Sequence, residues 1–102
     1  MLKDTDILVI SDEIYSELTY GGRKHVSFAS IPGMFERTVT LNGFSKAFAM
    51  TGWRVGFLVA HEEIIKKCST LQGQSTSNIC SIAQKAALAA LTGPMDCVRE
   101  MR

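Results

Sequence analysis

At 102 residues and 46% hydrophobic content, the chain has room for one core and not for two. A formal charge of +1 leaves no basic stripe for nucleic acid and no acidic field for a cationic partner. The longest apolar runs, such as Ile7–Ile10, fall well short of the ~18 residues needed to span a bilayer, so no membrane segment is expected.

In chain order, the opening "MLKDTDILVIS" holds one lysine, early aspartates and no small-residue cleavage site, which makes it a poor signal peptide. Residues 6–11, "DILVIS", read as a strand buried on both faces. "YGGRKHVSF" carries Gly21-Gly22 and reads as a loop or hairpin, and "SIPGM" adds a Pro-Gly break. "RTVTLN", 37–42, predicts a second strand, and "RVGFLVA", 54–60, a third. From Glu62 a helical pattern sets Ile64, Ile65, Cys68 and Leu71 on one face and Lys66 and Lys67 on the other. "QGQSTSN", 72–78, reads as a polar break before a helix from about Ile79 to Leu91, which "TGP" ends. "MDCVREMR" reads as the first turns of another helix. Cys68, Cys80 and Cys97 are odd in number and lack a C-x-x-C spacing, which disfavours a disulfide framework or zinc knuckle and fits a reducing, cytoplasmic setting. His25 and His61 are isolated and read as surface or loop residues. The fold class is α/β: part of a mainly parallel sheet with flanking helices.

The segment Gly43–Trp53 is short for a parallel crossover, so the second and third strands are expected to be antiparallel. The longer excursion between the first and second strands permits a parallel pair. Asp12, Lys46 and Arg54 then meet at one sheet edge, where open α/β folds place their ligands. A lysine beside another cation in a partly desolvated pocket favours its neutral amine and attacks carbonyls. An arginine with a neighbouring hydroxyl, here Arg54 and Ser45, seats a phosphate. An aspartate aimed at a ring nitrogen keeps it protonated, as a pyridoxal phosphate electron sink requires, and a phenol such as Tyr15 bonds an adjacent ring oxygen. Pyridoxal 5'-phosphate asks for all of these groups; no metal site is expected.

"SDEIYSELTY" followed by "TLNGFSKAFAMTGWRVGF" resembles the pyridoxal-phosphate aminotransferases of fold type I, class I/II, in the aspartate/aromatic aminotransferase-like branch. The likeness continues more loosely through "QGQSTSNICSIAQKAALAAL". It implies an enzyme that transfers an amino group between an amino acid and a 2-oxo acid through a lysine Schiff base. It assigns the ring nitrogen to Asp12, the ring oxygen to Tyr15, the Schiff base and proton shuttle to Lys46, and the phosphate to Arg54, with Ser45 as a second phosphate contact. Many relatives carry a hydroxyl at the position of Gly43, so the resemblance does not carry over that one phosphate hydrogen bond, while the role of Lys46 stands.

The resemblance also implies a homodimeric parent in which residues 1–102 form the middle of the large domain. The glycine-containing phosphate loop, the ring-stacking aromatic, an asparagine contact and the carboxylate-binding arginine have no counterpart in this chain, which is expected to be an inactive fragment by itself. Carbon–sulfur β-lyases and aminocyclopropane-carboxylate-type lyases share the same core, and a non-catalytic chain that only associates with others is a further alternative. Ser75, Thr76, Ser77 and Asn78 fit either an approach to a partner's site or a plain polar loop. Gly52 and Gly56 read as glycines of a tight turn and close packing, Trp53 as a packing anchor, and Glu13 as an exposed residue at a strand end.

Overall fold

Three short strands and three helices make up the computed structural model, which describes residue 2 and residues 4–102. The strands are β1 (Val9–Asp12), β2 (Thr38–Gly43) and β3 (Gly56–Val59); the helices are α1 (Glu62–Ser75), α2 (Ser81–Thr92) and α3 (Asp96–Met101). The sheet order is β1-β2-β3, with β1 parallel and β3 antiparallel to β2. The expected topology is therefore found, in a sheet more mixed than parallel. Pairing of Asp12 with Leu41 and of Gly43 with Gly56 brings the end of β1, the end of β2 and the start of β3 to one edge.

β2 is the central strand, and its β-branched start, Thr38-Val39-Thr40, suits a pleated surface with neighbours on both sides. Thr38 is buried, and its hydroxyl donates to the Met34 carbonyl at 2.6 Å, so the polar group is satisfied. Arg37 ties down the N-terminal segment by donating to the carbonyls of Leu2 and Thr5.

The core lies between α2 and the corner that links β2 to β3. Phe44, Met50 and Val55 from the corner pack with Ala83 and Ala87 from α2, flanked by Phe48, Ile79, Ala86 and Ala90. Alanines on the helix allow the aromatic corner to approach closely. The Phe44 ring lies 5.6 Å from that of Phe48 and 5.8 Å from that of Phe57, within the range of favourable aromatic pairs.

Several expectations are corrected. β1 begins at Val9 rather than residue 6, and it is not buried on both faces: Ile10 is 72% exposed, and Ile7 and Leu8 are exposed as well. Among the described residues, β1 lies at the edge of the sheet and pairs only with β2. β3 begins at Gly56, because Thr51–Trp53 form a 3-10 turn and Arg54 takes a left-handed conformation (φ 51°). α1 runs on through "QGQS", since glutamine and serine tolerate a helix and Gly73 alone costs about 1 kcal/mol. The helix stops where Thr76 and Ser77 both donate to the Gln72 carbonyl and Ser77 turns left-handed. Leu71 is exposed, and no residue of α1 is fully buried.

Among the described residues, no helix is long and apolar enough to cross a membrane. The three cysteines are free thiols. His61 is a surface residue, 3.5 Å from exposed Glu36.

Candidate active site

The corner that follows β2 has an inside and an outside. Phe44, Ala47 and Met50 turn inward and are buried, while Ser45 is half-buried and Lys46 is exposed. Burial of Phe44 and Ala47 orients the turn, so the Lys46 amine is presented by packing on the opposite side. Among the described residues Lys46 is exposed. The neighbour found for it is aromatic: Lys46 Nζ sits 5.7 Å from the centroid of the Tyr15 ring. At an exposed site such a contact contributes about 0.5–1 kcal/mol. It joins two of the residues singled out from the sequence.

Asp12 ends β1 and is exposed; its Oδ1 accepts the Ile14 N–H at 3.2 Å, a short-range turn that leads the chain toward Tyr15. Arg54 is also exposed, with Nη1 donating to the Thr51 carbonyl at 2.9 Å. Among the described residues, none of Asp12, Lys46 and Arg54 is consumed by an ion pair. An anion, a phenol, an amine and a guanidinium therefore share one sheet edge with their charges available.

The backbones of β2 and β3 are pinched together at this edge. A Cβ on Gly56 would lie 3.0 Å from the Asn42 carbonyl oxygen, and one on Gly43 would lie 3.1 Å from the Gly56 Cα. Close packing explains Gly56, as expected, and leaves little room for a side chain at Gly43 as well. Gly52 is different: a Cβ there meets nothing within 4 Å. Trp53 is not a packing anchor either. It is 47% exposed on the outward side of its turn, and the neighbouring Val55 is the buried residue.

Two residues of this region escape a reading by motif. Asn42 donates from Nδ2 to Ser16 Oγ and accepts the Gly43 N–H at Oδ1, linking the end of β2 to the turn that carries Tyr15. Glu13, expected at the surface, is only 7% exposed. Burial opposes its ionisation, yet hydrogen bonds from His25, the Phe28 N–H, Ser27 and Ser11 outweigh that and hold its carboxyl below the usual range. His25, though mostly at the surface, is one of those donors at 2.8 Å. The signal was there in Ser11, His25 and Ser27, but only the fold brings them to one point.

An open hollow of about 390 Å³ is lined by Phe44, Val55, Phe57, Ile79, Ala87 and Leu88. It borders the core cluster, and a larger one of about 460 Å³ is lined by Ala49, Gly52, Trp53, Cys80, Ile82 and Ala83; neither is lined by Asp12, Tyr15, Lys46 or Arg54, so size alone does not mark the chemical site.

The profile of the family described as aminotransferase class I and II matches residues 1–102. An aspartate aminotransferase of Pinus pinaster is 57% identical over 89 residues, covering 87% of this chain and 18% of that protein. One from Bacillus subtilis (strain 168) is 53% identical over 98 residues, covering 95% of this chain and 25% of that protein. Among solved structures, an aromatic aminotransferase from Pyrococcus horikoshii OT3 superposes with a TM-score of 0.89 at 46% identity, covering 94% of this chain and 26% of that one. The chain spans 18% to 25% of the length of these curated relatives.

Proposed function

The chain belongs to the aminotransferase class I and II family, and from that premise we propose that it forms part of the large, cofactor-binding domain of a pyridoxal 5'-phosphate-dependent aminotransferase. Its substrates would be an amino acid and a 2-oxo acid, in a cytoplasmic homodimer serving amino acid metabolism. The observation that supports this best is the donor set at one sheet edge: Asp12, Tyr15, Lys46 and Arg54, exposed and with their charges unpaired among the described residues.

That set fits the cofactor group by group. Arg54, with Ser45, would hold the phosphate; Tyr15 would donate to the ring oxygen; Lys46 would hold the aldehyde carbon through Nζ. Asp12 would keep the ring nitrogen protonated by presenting a carboxylate to it. When bound, the cofactor supplies an electron sink for the electrons left on the substrate α-carbon. Lys46 Nζ, released from the aldehyde carbon when the substrate's own amine takes its place there, would then be the base that holds and moves the α-carbon proton. The exposed position of Lys46 leaves it free to swing between these tasks.

A carbon–sulfur or aminocyclopropane-carboxylate-type lyase would use the same edge, but the relatives described above are aminotransferases, which favours amino-group transfer. In the full-length protein that carries this segment, borohydride reduction in the presence of pyridoxal 5'-phosphate should mark Lys46 by peptide mass, and Lys46→Ala should abolish turnover. A mark on another lysine, or turnover retained in the variant, would overturn the assignment. Release of pyruvate, ammonia and a thiol with no added 2-oxo acid as amino acceptor would select the carbon–sulfur lyase.

A further inference from the structure

We infer that Glu13 is a positioning residue for the candidate site: its buried carboxylate gathers donors from two segments and so fixes the end of β1 on which Asp12 and Tyr15 stand. The inference rests on the reading of Asp12 as the partner of the cofactor's ring nitrogen.

Glu13 Oε1 accepts from Ser11 Oγ at 3.0 Å, from Ser27 Oγ at 2.9 Å and from the Phe28 N–H at 3.0 Å. Its Oε2 accepts from His25 Nε2 at 2.8 Å. An ionised carboxylate only accepts, so the His25 ring proton facing it is on Nε2. The backbone of Glu13 is committed as well. Its N–H donates to the Leu41 carbonyl at 2.9 Å, just beyond the last paired residue of β1, and its own carbonyl accepts the Ser16 N–H at 2.9 Å. One residue thereby joins β2, the turn that carries Tyr15, and the segment 25–28.

Alternation along the strand places Glu13 with Ser11 on one face and Asp12 on the other. The clamp therefore holds the chain from the side away from the ligand edge, leaving the Asp12 carboxylate exposed and oriented by the Ile14 N–H. Among the described residues, no buried polar side-chain atom lacks a hydrogen-bond partner. Removing the Glu13 carboxylate would strand the Phe28 N–H and release the segment 25–28 from the sheet. Asp12, one bond away, would lose the frame that aims it. Small errors in aim are costly where a carboxylate must meet a single ring nitrogen.

The test uses the full-length protein and pyridoxal 5'-phosphate labelled with ¹⁵N in the ring. The nitrogen chemical shift reports whether the ring carries its proton, and titration of the apo-protein gives cofactor affinity. Glu13→Ala should move the shift toward the neutral ring and weaken affinity by about tenfold, the size expected when a support for a ligand-contacting residue is lost. Glu13→Gln, which keeps an accepting oxygen for Ser11, Ser27 and Phe28, should move it less. If Glu13→Ala does not fold, Glu13→Gln and Ser27→Ala carry the test, and an unmoved shift in both overturns the inference. A wild-type shift in the Glu13 variants, with a neutral ring in Asp12→Asn, also overturns this inference alone. A protonated ring in Asp12→Asn would instead overturn the reading of Asp12 on which it rests.

Discussion

The two halves of the candidate site are held by opposite means. Lys46 and Ser45 ride on a corner whose inner side is aromatic and aliphatic, with Phe44, Met50 and Val55 packed against the alanines of α2. Asp12 and Tyr15 stand at or just past the end of an edge strand whose Ile10 is exposed and Val9 only half-buried, and there a buried carboxylate with its donors replaces packing. Apolar packing is non-directional and resists pH; a carboxylate clamp is directional and depends on its charge. The difference gives the lysine half bulk stability and the aspartate half orientation.

Phe44→Ala removes the ring at the centre of the corner, and in the full-length protein it should cost about 3–5 kcal/mol in urea unfolding. A loss under about 1 kcal/mol would mean that the corner does not depend on this packing.

Acid should act on the other half. The folded state holds the Glu13 carboxyl below its ordinary range, so it binds fewer protons than the unfolded chain as that interval is crossed. The stabilisation is fully present above the ordinary glutamate range and is lost as pH falls through the depressed folded value. Unfolding midpoints followed from neutral to acid pH should show this limb in the wild type and a flatter one in Glu13→Gln. Parallel curves would refute it.

The smallest effect sharpens the picture of the corner itself. Ala49 has a φ of 52°, where an L-residue is strained. Ala49→Gly should relieve that strain and, after the greater freedom of glycine in the unfolded chain is counted, stabilise by about 0.5 kcal/mol. A lower thermal midpoint would contradict it.

How much of this was legible in the sequence depended on the range of the information. The antiparallel return of β3 was legible because Gly43–Trp53 is short for a crossover, and with β1 parallel to β2 that places Asp12, Lys46 and Arg54 at one edge. The exposure of Ile10 was not, because an apolar run does not say whether another element covers it. The end of α1 was misplaced because polar residues were read as breakers, whereas the stop came from the left-handed turn at Ser77. Glu13 was hardest: an acid next to a strand end reads as solvated until its donors, far along the chain, are folded onto it. The site's reactive groups lay in compact motifs, and their supports did not.

The pairing of one antiparallel and one parallel neighbour on β2 also has a meaning in time. Residues 44–55 separate β2 from β3, and a connection about twice as long, residues 13–37, separates β1 from β2. Each doubling of a loop adds about 0.6 kcal/mol to closing it, and the shorter one carries the residues of the buried apolar cluster that offset that cost. Folding of the full-length chain is expected to assemble the lysine-bearing corner before β1 docks, so that the aspartate arrives on a surface already formed. Kinetic φ-values higher for substitutions at Phe44 than at Glu13 would bear this out; equal values, or the reverse order, would refute it.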